Sequence, residues 1–453
     1  MAERVKLIVL DDDPTGSQTV HGCPLLLRWD AGSLRRGLAH ASPLLFVLAN
    51  TRALDPQAAR ERVREICQAL KPLLQEAIGA GWFERWMVVC RGDSTLRGHF
   101  PVEADVVVKE LGPFHACLLV PAFLAGGRTT VDGVHLLHGE PVHHSAFARD
   151  GLFGYSTSHL SAWVEQKSGG KIAAAAVQQV GLAALDAAAQ SAAGLQALVE
   201  RLTNLDGQPW VAVDAEHPQQ LRALGQAVAQ LSRDGRRLMA QSAASLINGL
   251  VELPAQPLDA RGLTRLRRRS PQGRPMPGLV LVGSHVPLAD QQLERLLQDS
   301  DCVAIELPVA KLARVLEGPA PPELLGSLEL AWLQQLREAC SGEQTPVLFT
   351  SRGELQCVSA AERRRLGLQL AALMARLAAA VAPGLGYVIS KGGITTHTLL
   401  ADGLQREQVE LQGQLLPGLS LVLAGDLPVV TFPGNLGEAQ SLHQAWKLMQ
   451  SPQ

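Results

Sequence analysis

Two clusters in the first hundred residues bring together side chains able to hold and orient a small anionic polyol. The first is Asp11-Asp12-Asp13-Pro14-Thr15-Gly16; the second is Arg91-Gly92-Asp93-Ser94-Thr95-Leu96-Arg97-Gly98-His99. Carboxylates accept hydrogen bonds from hydroxyls, and arginine presents a planar fork that matches a carboxylate or phosphate. Such groups are costly to bury without partners. Each cluster follows a short apolar run, residues 5–10 and 86–90, that reads as a buried strand. Ligands of open parallel sheets bind beyond the carboxyl ends of strands, so the two clusters point to one polar site. The competing reading is purely structural: N-capping aspartates, with Arg91 and Arg97 present to neutralise them.

A second kind of chemistry lies in the C-terminal half. Three apolar runs end in small or hydroxyl residues: Gly283-Ser284-His285, Lys391-Gly392-Gly393-Ile394-Thr395-Thr396, and Pro433-Gly434-Asn435-Leu436-Gly437. Glycine lets backbone N–H groups approach a ligand closely, and a following helix start favours phosphate. Singly each is a turn; three together point to a nucleotide site. No Gly-x-x-x-x-Gly-Lys-Ser/Thr is present, and no Gly-x-Gly-x-x-Gly follows a strand, so a P-loop ATPase and a dinucleotide fold are unsupported.

The elements that must carry these residues alternate along the chain. Strands are expected at residues 5–10, 44–48, 86–90, 117–120, 210–213, 279–282, 303–307, 346–350, 387–390 and 428–432, with amphipathic stretches between them. This is the α/β pattern. Asp55-Pro56 opens a helix towards Ile78, another spans 102–111, Ser158 caps one through Val164, another runs from Pro218 to about Leu231, and a long Ala/Leu/Arg helix covers 359–382. In the last glycine turn but one, a helix is expected at 396–400. Residues 121–155 are rich in Gly and His and lack periodicity, which in a compact domain marks a functional segment or an unresolved hairpin, with Val131-Asp132-Gly133-Val134 as a turn. His135, His138, His143 and His144 there invite a metal reading, but no carboxylate or cysteine stands at a fitting spacing, and the metal assignment stays unknown.

With 453 residues, the chain is long enough for two domains. The expected boundaries are 1–252, a linker at 253–278 carrying prolines and Arg265, Arg267, Arg268, Arg269 and Arg274, and 279–453. Composition is that of an ordinary globular protein, 47% hydrophobic and 19% charged, with a core that must be aliphatic because aromatics are only 4%. The 41 basic and 43 acidic residues leave a net charge of -2, which argues against nucleic acid as partner. The start lacks a secretory h-region, and no apolar run approaches the ~20 residues of a membrane span. Seven cysteines, odd in number and without a Cys-x-x-Cys pair, read as reduced core thiols of a cytoplasmic protein. A homo-oligomer is left open.

These motifs together resemble the four-carbon acid sugar kinases over almost the whole length. The family's Asp-Asp-x-Thr-Gly is matched by Asp12-Asp13-Pro14-Thr15-Gly16, and its Asp-Ser-Thr-x-Arg-Gly by Asp93 to Gly98. Pro121-Ala122-Phe123, Gly126-Gly127-Arg128, Gly133-Val134 and Thr157-Ser158-His159-Leu160 also fit, as do the three glycine turns. Ile394 stands where many members have Asp, and Phe432 where Lys often precedes the final Pro-Gly. The resemblance implies two α/β domains with largely parallel sheets, an N-terminal substrate domain and a C-terminal nucleotide domain, with the active site in a cleft between them. It implies ATP-dependent phosphorylation of a small sugar acid, with Mg²⁺ arriving on the nucleotide. Asp12, Asp13, Arg91, Asp93, Ser94, Thr95 and Arg97 would then bind substrate, with Arg91 or Arg97 clamping its carboxylate. Asp93 or Asp12 would orient or deprotonate the attacking hydroxyl, with Asp93 preferred. Ser284, Gly392, Gly393, Ile394, Thr395, Gly434, Asn435 and Gly437 would bind the nucleotide.

Two other readings share these residues. Asp11-Asp12-Asp13-Pro14-Thr15 satisfies the haloacid-dehalogenase signature, with Asp11 as nucleophile and Asp13 as acid/base, although Gly92-Asp93 lacks the second carboxylate such enzymes use for magnesium. A non-catalytic sugar-acid sensor is the other, encouraged by Ile394 and Phe432.

Overall fold

The computed structural model describes residues 4–450 except 15, 18, 318–321 and 354–358, so Thr15 and Gln18 of the first motif region and Cys357 lie outside the described residues. The chain divides into two compact units, Met1–Ala255 and Gln256–Gln453.

The first unit is built on parallel strands β1 (Val5–Asp11), β2 (Cys23–Leu26), β3 (Leu44–Leu48), β4 (Arg85–Arg91) and β5 (Ala116–Val120). A small antiparallel sheet, β6 (Arg128–Val131), β7 (Val134–Leu137) and β8 (Glu140–Pro141), follows, and then β9 (Gln178–Val180), β10 (Trp210–Val213) and β11 (Leu238–Ser242) complete the main sheet. Its order is β2-β3-β1-β4-β11-β5-β10-β9, every pair parallel. β1, β3 and β4 are almost continuously apolar because helices cover both faces, as parallel sheets require. The helix Pro56–Gly79 starts as its sequence dictates, with Asp55 accepting from Gln57 N and Ala58 N and Pro56 in the first turn. It buries Val63, Ile66, Leu70, Leu73 and Leu74 in the core of this unit. The chain leaves β1 towards β3 on one side and reaches β4 on the other, so the topological switch lies between β1 and β4.

The expected turn at 131–134 is a two-residue hairpin loop, with Asp132 and Gly133 both at positive φ (49° and 75°). β2, β9 and β11 were not anticipated. β11 is short and ends in polar residues, Gln241 and Ser242, which masks its strand character. The helix expected from Ser158 begins at Leu160 with His159 as N-cap, and Ser158 instead turns inwards to His143. The Ala-rich tract forms two helices, Leu182–Gln190 and Ala192–Thr203.

The second unit contains β12 (Gly278–Val282), β13 (Cys302–Leu307), β14 (Thr345–Thr350), β15 (Tyr387–Lys391), β16 (Gln408–Leu416), β17 (Leu419–Ala424) and β18 (Leu427–Phe432). The order is β13-β14-β12-β15-β18-β17-β16, parallel through β18 and antiparallel in the final meander. Its switch point lies between β12 and β15. A separate core gathers Val280, Val282, Leu293, Ile389, Val430 and Trp446.

Residues 256–278, expected within a linker, belong to this second unit. Asp259 caps a short helix, Ala260–Thr264. Arg267, expected on a solvated face, is buried and donates to Met276 O, Met449 O and Gln450 O at 2.8, 3.0 and 2.9 Å. A guanidinium can satisfy several carbonyls that end a helix, which composition alone does not reveal. The expectation that no apolar run could span a bilayer is also corrected: Glu362–Gly384 is long and apolar enough by composition. It is instead a packed helix, with Leu366, Leu370, Leu373, Met374 and Leu377 buried. None of the six described cysteines is in a disulfide, and four of them are buried.

Candidate functional site

In the first unit, Asp11 and Arg91 are register partners at the ends of β1 and β4, and Ser242 pairs with Arg91 at the end of β11. The chain beyond each strand end therefore enters one polar basin. Its hub is Arg52, in the turn after β3. Arg52 donates from Nε and Nη2 to the two carboxylate oxygens of Asp12 at 3.0 and 2.5 Å. Its Nη1 lies 3.4 Å from Asp13 Oδ2 and 3.9 Å from Asp93 Oδ1. Asp93 also accepts from Arg97 Nε at 2.7 Å and from the Thr95 hydroxyl.

Burial would raise the Asp93 carboxyl, but Arg52, Arg97 and the Thr95 hydroxyl outweigh it and hold Asp93 well below the usual carboxylate range. Asp12 is different. Burial dominates and leaves its carboxyl raised despite Arg52 and Arg91. Burial also pushes Glu103 up to about 7; its carboxylate accepts from the Thr51 hydroxyl.

Arg91 lies against the carboxylates of β1 and the chain just beyond it. Only 7% of its side chain is exposed, and Nη1 sits 3.6 Å from both Asp11 Oδ1 and Asp12 Oδ1, so it acts as an internal counter-ion. The sequence offers Arg91 as a clamp for a substrate carboxylate; the structure shows it next to two carboxylates of the protein itself. Asp11 is fully buried, raised to about 7 by desolvation, and packed on Gly16, where a Cβ would run into its carboxylate oxygens. That explains the glycine of the first motif, and it leaves Asp11 without the access a phosphoryl-accepting nucleophile needs.

The loop 93–98 is held from outside. Leu96 and Gly98 adopt positive φ (64° and 127°), a conformation that needs surrounding support when the residue is not glycine. The support comes from the Gly/His segment: His135 Nε2 lies 2.8 Å from Ser94 O with Nδ1 2.9 Å from the Thr130 hydroxyl, and Tyr155 donates to Thr95 O at 2.6 Å. Arg97 stacks over Phe147 at 4.9 Å. His99 Nε2 caps Thr51 O and Leu54 O. His143 bonds Ser158, and among the described residues no group of three His, Cys, Asp or Glu side chains could hold a metal.

Asp12, Gly92, Asp93, Arg97, Gln241 and Ser242 line a small pocket with about 20 Å³ of room. Gln241 Oε1 and Ser242 Oγ are buried there without a protein partner. Sequence reasoning missed Arg52, Glu103, Gln241 and Ser242. For Arg52 a signal existed, since Asn50-Thr51-Arg52 follows an apolar strand just as the two motifs do.

In the second unit the three glycine turns converge. At Gly283 a Cβ would meet the Thr395 hydroxyl, at Gly434 it would lie 2.5 Å from Ser284 Oγ, and at Gly392 (φ 117°) 3.4 Å from Ser284 N. Gly437 stands apart, packed against Ser441 Oγ. Ile394 and Asn435 are exposed. The helix here starts at Gly393 rather than at 396 and runs to Thr398, then into a π-turn, Leu399–Gly403.

Two cations join this group: Lys391, which heads the second turn, and Arg352, which the sequence did not single out. Lys391 is fully buried over Phe432 and donates to Pro433 O and Gly434 O at 3.0 and 3.2 Å. Burial, helped by Arg352, lowers it to about 7. Arg352 donates to Ser284 O at 2.6 Å and pairs with Asp290. Closely approached backbone, a serine hydroxyl and nearby cations are what phosphate oxygens require.

Comparison with known proteins follows the same division. Residues 7–250 match the sugar-binding N-terminal domain family and residues 279–442 the nucleotide-binding C-terminal domain family. Over 369 residues the chain is 27% identical to D-threonate kinase of Cupriavidus necator, covering 79% of this chain and 78% of that one. Over 110 residues it is 34% identical to D-erythronate kinase of Heliobacterium modesticaldum, covering 24% of this chain and 22% of that one. The fold is similar to a crystal structure from Salmonella typhimurium LT2, with a TM-score of 0.70 at 19% identity over 97% of this chain and 98% of the other. It is similar also to Haemophilus influenzae protein HI1011, with a TM-score of 0.60 at 16% identity over 98% and 100%.

Proposed function

We propose, from the premise that this chain belongs to the four-carbon acid sugar kinase family, that it transfers the γ-phosphoryl group of ATP to a hydroxyl of a four-carbon sugar acid. The observation that carries this reading is the basin where Arg52 and Arg97 hold Asp12 and Asp93 at the switch point of the first sheet.

Phosphoryl transfer depends mainly on positioning and on stabilising spread negative charge. Asp93, kept ionised, accepts a substrate hydroxyl and fixes its direction. Asp12, whose carboxyl is raised, is the better proton acceptor for the attacking hydroxyl. Asp13, Ser94 and Thr95 complete the polyol contacts, and Arg97 takes the acid end. The turns at Gly283-Ser284, Gly392-Gly393-Ile394-Thr395 and Gly434-Asn435 receive the triphosphate, with Lys391 holding the last of them in place. The donor set fits a nucleotide, because hydroxyls, close backbone and cations are present together. Mg²⁺ would be held by phosphate oxygens and water and would neutralise charge on the transferred group. The relatives named D-threonate and D-erythronate kinase support the substrate class.

The test is a coupled ADP-release assay across the four-carbon sugar acids. Wild-type protein releases ADP with at least one acid, and Asp93→Asn and Ser284→Ala each lower kcat/KM by about a hundredfold. Folded wild-type protein that releases no ADP with any of them removes the proposal.

A further inference from the structure

We propose that Arg128, acting with Arg97, binds the carboxylate of the sugar acid and so sets the preference for an acid over a neutral polyol; this rests on the sugar-acid reading above. Arg52, Arg91 and Arg97 pair with the carboxylates of this basin, and a fourth arginine, Arg128, interacts electrostatically with Asp93. Arg52 is forked on Asp12 and reaches Asp13 and Asp93. Arg91 balances Asp11 and Asp12, with Nη1 3.6 Å from an oxygen of each, and like Arg128 it keeps a buried Nε without an acceptor.

Arg97 uses Nε on Asp93, while its Nη1 has only Asp150 Oδ2 at 3.9 Å, too long for a hydrogen bond. Arg128 opens β6, lies 5.8 Å over the Phe123 ring, and donates from Nη1 to Gly126 O. Its Nε is buried and meets no acceptor. An orphaned buried donor is costly and demands an explanation.

The hairpin that carries Arg128 is pinned to the catalytic loop by His135 on Ser94 O. That pin keeps Arg128 within electrostatic reach of both Asp93 and Arg97, and burial and Arg97 together lower its proton affinity. Arg97 and Arg128, each with N–H groups left over beside the loop that carries Asp93, form a place that a substrate carboxylate would complete. Arginine suits this better than lysine, because two planar forks can grip both carboxylate oxygens. A neutral hydroxymethyl group offers neither charge nor paired acceptors, which is the source of the discrimination.

The test is calorimetric binding of D-threonate, and of the alditol that lacks its carboxylate, to the full chain as wild type, Arg128→Gln and Arg128→Lys, with melting curves alongside. Wild type favours the acid. Arg128→Gln loses about ten- to a hundredfold in affinity for the acid and less than about twofold for the alditol, and Arg128→Lys shows a smaller loss in the same sense. Should Arg128→Gln melt far below wild type, Arg128→Lys decides the matter. Wild type that binds acid and alditol alike, a variant that keeps full affinity for the acid, or equal losses on both ligands overturns the assignment. ADP release is a separate readout: its absence from wild type counts against the kinase reading, while the binding preference still decides the role of Arg128.

Discussion

Arg52 holds more carboxylates than any other side chain of the first basin, with Asp12 in its fork and Asp13 and Asp93 at 3.4 and 3.9 Å. Removing one partner of a buried pair strands the others in low dielectric, which typically costs about 3–5 kcal/mol. Arg52→Gln is therefore expected to lower unfolding stability by that amount and to abolish turnover. Arg52→Lys should recover little of either, since an ammonium cannot reproduce the fork. A urea-unfolding midpoint equal to wild type in Arg52→Gln would remove Arg52 from the centre of the site. At the same scale, Gly16 and Gly434 are explained by what touches them, a carboxylate in one case and a serine hydroxyl in the other.

Among the elements, the β6–β7 hairpin has the least conventional role. It makes no contribution to the main sheet, yet His135 at its second strand is fully buried with both ring nitrogens engaged. Burial lowers His135 from 6.5 to about 4, with Arg128 acting in the same direction and Asp93 against it. Between those two values the unfolded chain binds a proton that the folded chain refuses, so this residue's contribution to stability is lost as pH falls from about 6.5 towards 4. His135→Gln cannot titrate. Its melting temperature should fall less steeply than that of wild type over that window, and identical slopes would show that His135 does not stay neutral in the folded state. The variant should also lower kcat more than it raises the nucleotide KM, because Ser94 O loses its anchor while the second unit is untouched.

For the molecule as a whole, each unit has its own apolar core and its own switch point, and the candidate groups fall at those switch points. Effects confined to separate cores are expected to be independent. Asp93→Asn should bind ATP within about twofold of wild type while losing turnover, and Ser284→Ala should bind the sugar acid within the same margin. Equilibrium binding measurements on the two variants check both halves. A large loss of ATP affinity in Asp93→Asn would mean that the division of labour between the units is wrong.

Much of this protein is written locally. Apolar runs bounded by polar strand ends located β1, β3, β4, β12, β15 and β18, because strands buried on both faces leave a continuous hydrophobic signature. Asp12, Asp93, Arg97, Ser284 and the glycine turns stood out because their residue types are expensive or conformationally special where they occur. What the chain could not disclose was pairing. Arg91 and Arg52 have the same chemistry in sequence, and only the register of β1 against β4 turns one inward as a counter-ion while the turn after β3 makes the other the hub. Gln241 and Ser242 entered the pocket wall because β11, a short strand unremarkable by composition, lies between β4 and β5. Arg267 became a clasp rather than part of a linker for the same reason. Residue type sets what a side chain can do at its own position, whereas its partner is set by strand order and loop closure over tens to hundreds of residues, and no local pattern records them.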